Sequence, residues 1–538
     1  MNKNEIIEIE IEDLNTEGNG VGHVHGLCCF VKGAIPGERV RAKIIKVKKS
    51  YAVACIDEIL RPSPHRVKPP CRVYKRCGGC TLQHMAYPAQ LEWKHNHVKQ
   101  CFKRIAGLEV PVNFPLPAKE PFRYRNKAAF PVKTENGAPA VGFYRRRSHE
   151  VTDVDDCLLQ DPSVALLISQ LKTWIVHEQV PLYDEQTHTG LLRHVVVRVN
   201  DRGEMMLVLV INGEDIPSKK QLLQKLTYLL PKLKTIVLSH NPEKTNVILG
   251  KRQTVLTGSG TLAQEILGNT YLIGAHSFLQ VNSFGMRALY SSLFSMLKLT
   301  KEDRVCDLYC GAGTITLLAA ARAGEAIGIE IVPQAIEDAQ GNAKRNGVSN
   351  VRFICGDAAQ EFPKLVREGA LSAIIADPPR KGLEPAVIDA CVKTGAPKIA
   401  YVSCDPATLA RDVKLFCERG YTVVAVQPVD LFPQTCHVET VCQLVLRNPV
   451  VHVNIDVDVE ELVQDKRGQA TYGQIKDYVL EHSGLKVSSL YIAQVKQKCG
   501  IIERQNYNKP KSEDARQPQC PSEKEAAIME ALKYFQMI

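Results

Sequence analysis

The chain has 538 residues, 45% hydrophobic and 23% charged, with a formal net charge of +10 and a mean hydropathy of −0.14. This is ordinary globular composition, which excludes a wholly disordered or fibrous chain. At ~150 residues per domain, the length suggests about three or four domains. No apolar run reaches eighteen residues, so no membrane partner is expected, and the acidic, alternating start MNKNEIIEIEIEDLN is wrong for a signal peptide. The 18 cysteines are scattered, so free thiols with a metal-binding or catalytic subset are expected rather than a disulfide framework, in a cytoplasmic protein.

The charge is unevenly placed. Residues 61–150 hold 18 Lys/Arg against 5 Asp/Glu, while the rest of the chain holds 50 against 53. A charge run is usually a solvated surface. Here arginines are interleaved with aromatics, in Phe122-Arg123-Tyr124-Arg125 and Phe143-Tyr144-Arg145-Arg146-Arg147. Guanidinium groups for phosphates and rings for base stacking favour RNA as the partner.

In chain order, Ile7, Ile9 and Ile11 alternate with Glu8, Glu10 and Glu12, the two-residue period of a half-buried strand. Gly18, Gly20, Gly22 and Gly26 punctuate the next stretch. Ala34-Ile35-Pro36-Gly37-Glu38 makes a turn, and 39–47 and 51–59 read as further strands. Four or five strands in about sixty residues predict a small barrel over 1–60. Pro62, Pro64, Pro69 and Pro70 mark a linker. Residues 61–275 form a central region, α+β in pattern from 121 on, with strands at 195–200 and 205–213 around Asp201-Arg202-Gly203. Over 276–450, apolar runs at 304–308, 326–329, 351–355, 373–376, 398–403, 421–426 and 440–446 alternate with helical patterns. That alternation predicts an α/β, doubly wound sheet.

Residues 451–538 differ. VHVNIDVDVEEL alternates in polarity, 471–482 and 488–498 read as helices joined at Ser483-Gly484-Leu485, and Ser488 and Ser489 are candidate caps. A Pro- and charge-rich stretch at 506–521 precedes an amphipathic helix at 522–535. Two short helices about a glycine turn suit either a nucleic-acid-binding helix-turn-helix or a packing appendage.

Four constellations carry chemistry. Cys71, Cys77 and Cys80 lie within ten residues around Gly78-Gly79, and Cys157 follows at a distance. Three clustered thiolates and a distant fourth can close a tetrahedral sulfur site, for zinc or an iron–sulfur cluster; the spacing does not choose. Second, Asp307-Leu308-Tyr309-Cys310-Gly311-Ala312-Gly313-Thr314 links a strand to a helix, where glycines let backbone approach a ligand. Glu330 closes the next strand, where a carboxylate can accept from ribose hydroxyls, and Asp357 ends the third. The loop is D-x-x-C-G-A-G, not the G-x-G-x-x-G of a dinucleotide dehydrogenase. Third, Asp377-Pro378-Pro379-Arg380 follows the fourth strand. Fourth, Ser403-Cys404-Asp405-Pro406 follows the fifth strand, and His437-Val438-Glu439-Thr440-Val441 enters the last.

These residues carry a resemblance. GNGVGHVHGLCCFVKGAIPGERVRAKI is similar to a TRAM domain, a barrel akin to oligonucleotide-binding folds and usually RNA-binding. D-P-P resembles the active-site loop of base and glutamine-amide methyltransferases. FLQVN, DLYCGAGTITL, DPPRKGL, SCDPATLARD and HVETV, in that order, resemble the RNA uracil-5-methyltransferases, and with the barrel and the C-G-G-C cluster they resemble the ribosomal RNA branch. The resemblance covers about residues 1–450. It implies a Rossmann-like methyltransferase domain over 276–450 and S-adenosylmethionine as methyl donor. It makes Cys404 the nucleophile and Glu439 the general base. Asp377, Gln280, Tyr309 and Glu330 contact the donor, as do Thr314 and Asp357, while Asn282 helps to hold the site. It further implies that Cys71, Cys77, Cys80 and Cys157 hold a [4Fe–4S] cluster and that the substrate is a uridine of 23S ribosomal RNA. The same reaction on tRNA and a non-catalytic RNA-binding protein are the rivals. SCDPATLARD does not resemble the P-C nucleophile of cytosine methyltransferases.

Overall fold

The chain divides into two units, Met1–Val450 and Val451–Ile538. The computed structural model describes residues 1–447, 470–499, 501, 519–535 and 537–538. The alternating stretch at 451–462 and most of the Pro-rich stretch at 506–521 lie outside the described residues.

The first sixty residues make six strands: β1 (Ile6–Glu10), β2 (Asp13–Leu14), β3 (Gly20–Val24), β4 (Leu27–Lys32), β5 (Arg39–Val47) and β6 (Tyr51–Arg61), in the order β1-β5-β6-β4-β3-β2. β1 and β2 are nearly continuous in the chain yet stand at opposite ends of that order, so the sheet closes on itself as a small barrel. Ile7 and Ile9 of β1 point inward with Val31, Val40, Ala42 and Ile44, while Ile6 is exposed. Closure brings β3 hard against β1: a Cβ at Gly22 would stand 2.2 Å from the Glu10 carbonyl oxygen. Only glycine fits there.

Helix α1 (Tyr87–Cys101) runs into a π-helical turn, Phe102–Ala106. A second sheet follows, of β7 (Lys127–Glu135), β8 (Ala138–Tyr144), β9 (Val151–Asp153), β10 (Leu192–Val199), β11 (Met205–Ile211), β12 (Leu233–His240) and β13 (Arg252–Thr257), ordered β13-β12-β11-β10-β7-β8-β9. β11 is buried along its whole length. Helices α2 (Pro162–His177) and α3 (Lys219–Leu229) cover one face through Leu167, Leu171, Trp174, Leu222 and Leu226. A hairpin, β14 (Leu262–Ile266) and β15 (Asn269–Ile273), comes next.

The third sheet contains β16 (Arg304–Leu308), β17 (Glu325–Glu330), β18 (Val351–Cys355), β19 (Ala373–Ala376), β20 (Lys398–Ser403), β21 (Tyr421–Val429) and β22 (Glu439–Leu446). Its order is β18-β17-β16-β19-β20-β22-β21, with β22 antiparallel to both neighbours. Helices α4 (Ser283–Leu297), α5 (Thr314–Ala320), α6 (Pro333–Arg345), α7 (Ala358–Val366), α8 (Pro385–Lys393) and α9 (Pro406–Glu418) cover its two faces. This is the expected α/β, Rossmann-like, doubly wound fold. The strand order reverses at β16, so a ligand crevice opens beyond the carboxyl ends of β16 and β19.

Two distant segments are built onto this sheet. Val98, Cys101 and Phe102 share a core with Leu308 and Ile374, and Val112 and Leu116 bridge to Val426 and Val429 along β21. On the other face, Tyr271 and Ile273 of the hairpin pack among Leu289, Leu293 and Leu317.

In the second unit, α10 (Tyr472–Ser483), α11 (Ser489–Lys498) and α12 (Ser522–Tyr534) bury Ile475, Val479, Ile492, Val495, Ile528 and Leu532 together. Thr471 and Gln474 form a capping box, and Ser488 caps α11 while Ser489 is its first residue. Among the described residues, no helix is long and apolar enough to cross a membrane.

Candidate active site

The crevice is built from strand ends. After β16 the chain turns at Tyr309, Gly311 and Gly313, all with positive φ (66°, 53° and 78°), before α5 begins at Thr314. Gly313 has a second constraint, because a Cβ would lie 2.9 Å from Phe353 Cζ. Glu330, the last residue of β17, braces the loop: its carboxylate accepts from the Gly311 N–H (3.1 Å) and the Val332 N–H (2.9 Å). Asp357 lies two residues past β18 and caps α7, accepting from the Ala359 N–H at 2.8 Å. The Thr314 carbonyl accepts from the Tyr271 hydroxyl (3.2 Å), and buried Gln280 lies on the approach to α4, its carbonyl held by Asn126 Nδ2 at 3.0 Å. Asn282 is the cap of α4 and also donates to the Leu431 carbonyl (3.1 Å), which ties α4 to the loop leading to Glu439.

A second group gathers beside this loop. Asp307 is buried; one oxygen accepts from Thr316 Oγ1 (2.6 Å), and the other, Oδ1, is buried with no partner. Burial, against the Thr316 hydrogen bond and with Asp377 adding its charge, pushes the Asp307 carboxyl up to about 8. Burial also raises Asp377 to about 7. Glu439, the first residue of β22, is 3% exposed and is pushed up to about 8, by burial first and by Asp377 second, with Arg380 opposing. Such a set of desolvated carboxyls suits a cationic ligand, since a sulfonium or ammonium group would restore their charge.

Cys404 sits on the turn from β20 into α9. Ser403 Oγ accepts from the Asp405 N–H (3.1 Å), and the Asp405 carboxylate caps α9 through the Ala407 N–H (2.9 Å). The thiol is half-buried. Burial and Glu439 raise its pKa, while Arg380, which hydrogen-bonds it, works the other way. The loop that carries Arg380 is anchored beyond it: Asp412 accepts from the Leu383 N–H (2.8 Å) and the Tyr401 hydroxyl (2.7 Å). Thus Cys404, Glu439 and Asp377 come together, with Arg380 and Asp307 as members to which the sequence reading assigned no role. Both stood in quoted motifs. The signal for Arg380 was a cation directly after D-P-P, and for Asp307 an acid inside an apolar strand.

The four cysteines also share one cavity. Cys71, Cys77, Cys80 and Cys157 line one cavity of about 350 Å³, with Tyr74, Gln83 and apolar neighbours. Cys77 and Cys80 are raised by burial, to about 11 and about 12, with the other thiols of the set adding to the effect. Among the described residues, no three of them converge closely enough to hold a single ion.

Residues 86–447 match the family described as tRNA (Uracil-5-)-methyltransferase, and residues 2–56 match the TRAM domain. An uncharacterised RNA methyltransferase of Clostridium acetobutylicum is 44% identical over 444 residues, 82% of this chain and 96% of its own. Another, from Halalkalibacterium halodurans, is 42% identical over 451 residues, 83% and 98% of the two chains. Among solved structures, the Pyrococcus abyssi tRNA (uracil-54, C5)-methyltransferase in complex with S-adenosyl-L-homocysteine is similar over 82% of this chain and 100% of its own, at 27% identity and a TM-score of 0.66. The chain therefore belongs to the RNA uracil-5-methyltransferase family, with S-adenosylmethionine as methyl donor and a TRAM domain at residues 2–56.

Proposed function

We propose that this protein forms 5-methyluridine in 23S ribosomal RNA, in the cytoplasm, with Cys404 as covalent nucleophile and Glu439 as general base. The observation that carries this reading is the convergence of Cys404, Glu439, Asp377 and Arg380, from three strand ends, on one small site beside the donor crevice. Carbon 5 of uracil is too weak a nucleophile to attack a methyl sulfonium unaided. Addition of the Cys404 thiolate to carbon 6 opens the 5,6 double bond and makes carbon 5 enolate-like. Carbon 5 then takes the methyl group as the donor's sulfur–methyl bond breaks. Glu439 accepts the proton from carbon 5, the double bond re-forms and the thiolate leaves. Arg380 favours the thiolate, and Glu439 must give up its own proton before it can accept the one on carbon 5. Asp377, Gln280, Tyr309 and Glu330, with Thr314 and Asp357, hold the donor. The target base must leave its stack to reach the site, at a cost of a few kcal/mol.

The cysteine cavity is read as a [4Fe–4S] site. A tetrahedral zinc needs four ligands with sulfurs about 2.3 Å from one point. The four thiols line one chamber, and in this reading they would hold the cluster. Its role is structural. The same loop continues to Thr81 and Leu82, whose N–H groups donate to the Gln434 carbonyl (2.9 and 3.0 Å), five residues before Glu439.

The cysteine set and the TRAM domain support ribosomal RNA, whereas the Pyrococcus abyssi neighbour favours tRNA. Labelled methyl donor, offered with unmodified 23S rRNA and tRNA transcripts, separates the two. Label in rRNA as 5-methyluridine is expected. Label in tRNA alone moves the substrate, and label in neither leaves an RNA-binding role.

A further inference from the structure

The central sheet carries a cavity of about 1200 Å³ whose walls include none of the residues gathered around Cys404. β7 contributes Lys133, β8 ends there at Tyr144, β10 adds Arg193 and His194, and the loops at 182–188 and 244–248 close the sides. The interior is organised. Glu185 accepts from Lys133 Nζ (2.8 Å) and from the Tyr144 hydroxyl (2.9 Å), and meets His149 Nδ1 at 3.0 Å. Arg193 is 5% exposed; its guanidinium lies 4.2 Å from the Tyr183 ring centroid and donates to the Asn241 and Glu243 carbonyls. The Tyr183 hydroxyl meets His188 Nδ1 at 2.9 Å. His194 Nδ1 is buried with no partner. His149 stands exposed at the rim, and His188 is half-buried.

Rings at the rim, polar edges inside and lysines alongside suit a nucleobase and its phosphate. The cavity wall is also followed in the chain by the basic run. Tyr144 leads directly into Arg145–Arg147, where Arg146 donates to the Cys80 carbonyl (2.9 Å) and Arg147 pairs with Glu17 of the barrel (2.7 Å). The segment from Tyr144 to Arg147 thus links the cavity wall to the TRAM barrel, with Arg145 and Arg147 paired to Glu150 and Glu17. We propose that this cavity, bounded by Tyr144, His149, Glu185, His188 and His194, is a second RNA site that takes an unstacked nucleotide other than the one methylated. The proposal rests on RNA as substrate and is indifferent to whether that RNA is ribosomal.

The test uses whichever transcript, 23S rRNA or tRNA, the wild-type chain methylates. His149→Ala/His188→Asn removes two rings, the asparagine keeping a polar partner for the buried Tyr183 hydroxyl and tolerating the positive φ at 188, and an unchanged urea midpoint verifies the fold. Loss of stacking on one base should raise the RNA Kd and KM about tenfold, with kcat at saturating RNA and the donor Kd unchanged. RNA bearing 4-thiouridine should crosslink to the peptide holding Tyr144 and His149. Wild-type RNA affinity in the double variant, together with crosslinks only elsewhere, overturns the proposal. If the wild-type chain methylates no RNA, the proposed function fails instead.

Discussion

Cys404 lies between two opposing neighbours. Arg380 stabilises its thiolate, and Glu439 disfavours it when ionised. Removing the sulfur removes the only route that makes carbon 5 nucleophilic, so Cys404→Ala should lower methyl transfer by about 10⁴-fold or more, with donor binding retained. Labelled-methyl incorporation and donor calorimetry check the two halves. Glu439→Gln keeps addition and methyl transfer but lacks the base, so a covalent protein–RNA adduct should accumulate as a slow band on a denaturing gel, with turnover down by roughly 10²–10⁴-fold. Normal turnover with no adduct would remove Glu439 from that role. The same residue makes stability depend on pH. Folded Glu439 holds its proton up to about 8, whereas the unfolded chain releases it near the ordinary 4.5. The folded state binds the extra proton between those values, so this group's contribution is most favourable at pH 5 and is lost as pH rises to 8. Urea midpoints of the wild type should therefore fall more steeply from pH 5 to pH 8 than those of Glu439→Gln, and parallel slopes would refute this assignment.

The strands of the catalytic sheet were the most legible elements. Strands at 304–308, 351–355, 373–376 and 398–403 stand where the apolar runs placed them: β16, β19 and β20 are interior strands that read as continuous hydrophobic sequence, and the edge strand β18, only partly buried, carries Val351, Phe353 and Ile354. β21 runs on to Val429, past the expected 426, and includes Pro428. β21 is the last strand in its sheet, and there Pro428 needs only its carbonyl, which accepts from the Leu116 N–H at 3.0 Å. The barrel has six strands where four or five were expected, since a two-residue strand such as β2 has no periodicity to read. The loop between β16 and α5 depends on Gly313 through both its φ of 78° and the contact with Phe353. Gly313→Ala should cost about 1–3 kcal/mol of stability and weaken donor binding, measured by urea titration and donor calorimetry. Gly26, which also has positive φ but no neighbour within 4 Å of a Cβ, is the comparison, and the same change there should cost less.

The barrel, the cysteine loop and the catalytic sheet are held together around one stretch of chain, residues 430–438. Lys94 of α1 donates to Asp430 at 2.5 Å with both side chains fully buried, and also to the Phe432 carbonyl at 3.1 Å. Gln90 binds Gln434, and Tyr124 donates to the Pro433 carbonyl. Lys94→Met alone would leave a buried carboxylate without its cation, at a cost of about 3–5 kcal/mol, whereas Lys94→Met/Asp430→Leu should recover most of it. Urea midpoints of the three proteins check this, and because the stretch leads into Glu439, the single variant should also lose methyl transfer. The class of sheet, the barrel and the loops that follow each strand could be read from residues alone, because strand, turn and cap are written in neighbours within a few positions. Periodicity says that a face is buried without saying against what. The joining of Lys94 to Asp430, of Val112 to β21, of Cys404 to Arg380 and Glu439, and of the tyrosines and histidines around the second cavity came only from packing, since those partners are far apart in the chain and meet when the sheets close over their cores.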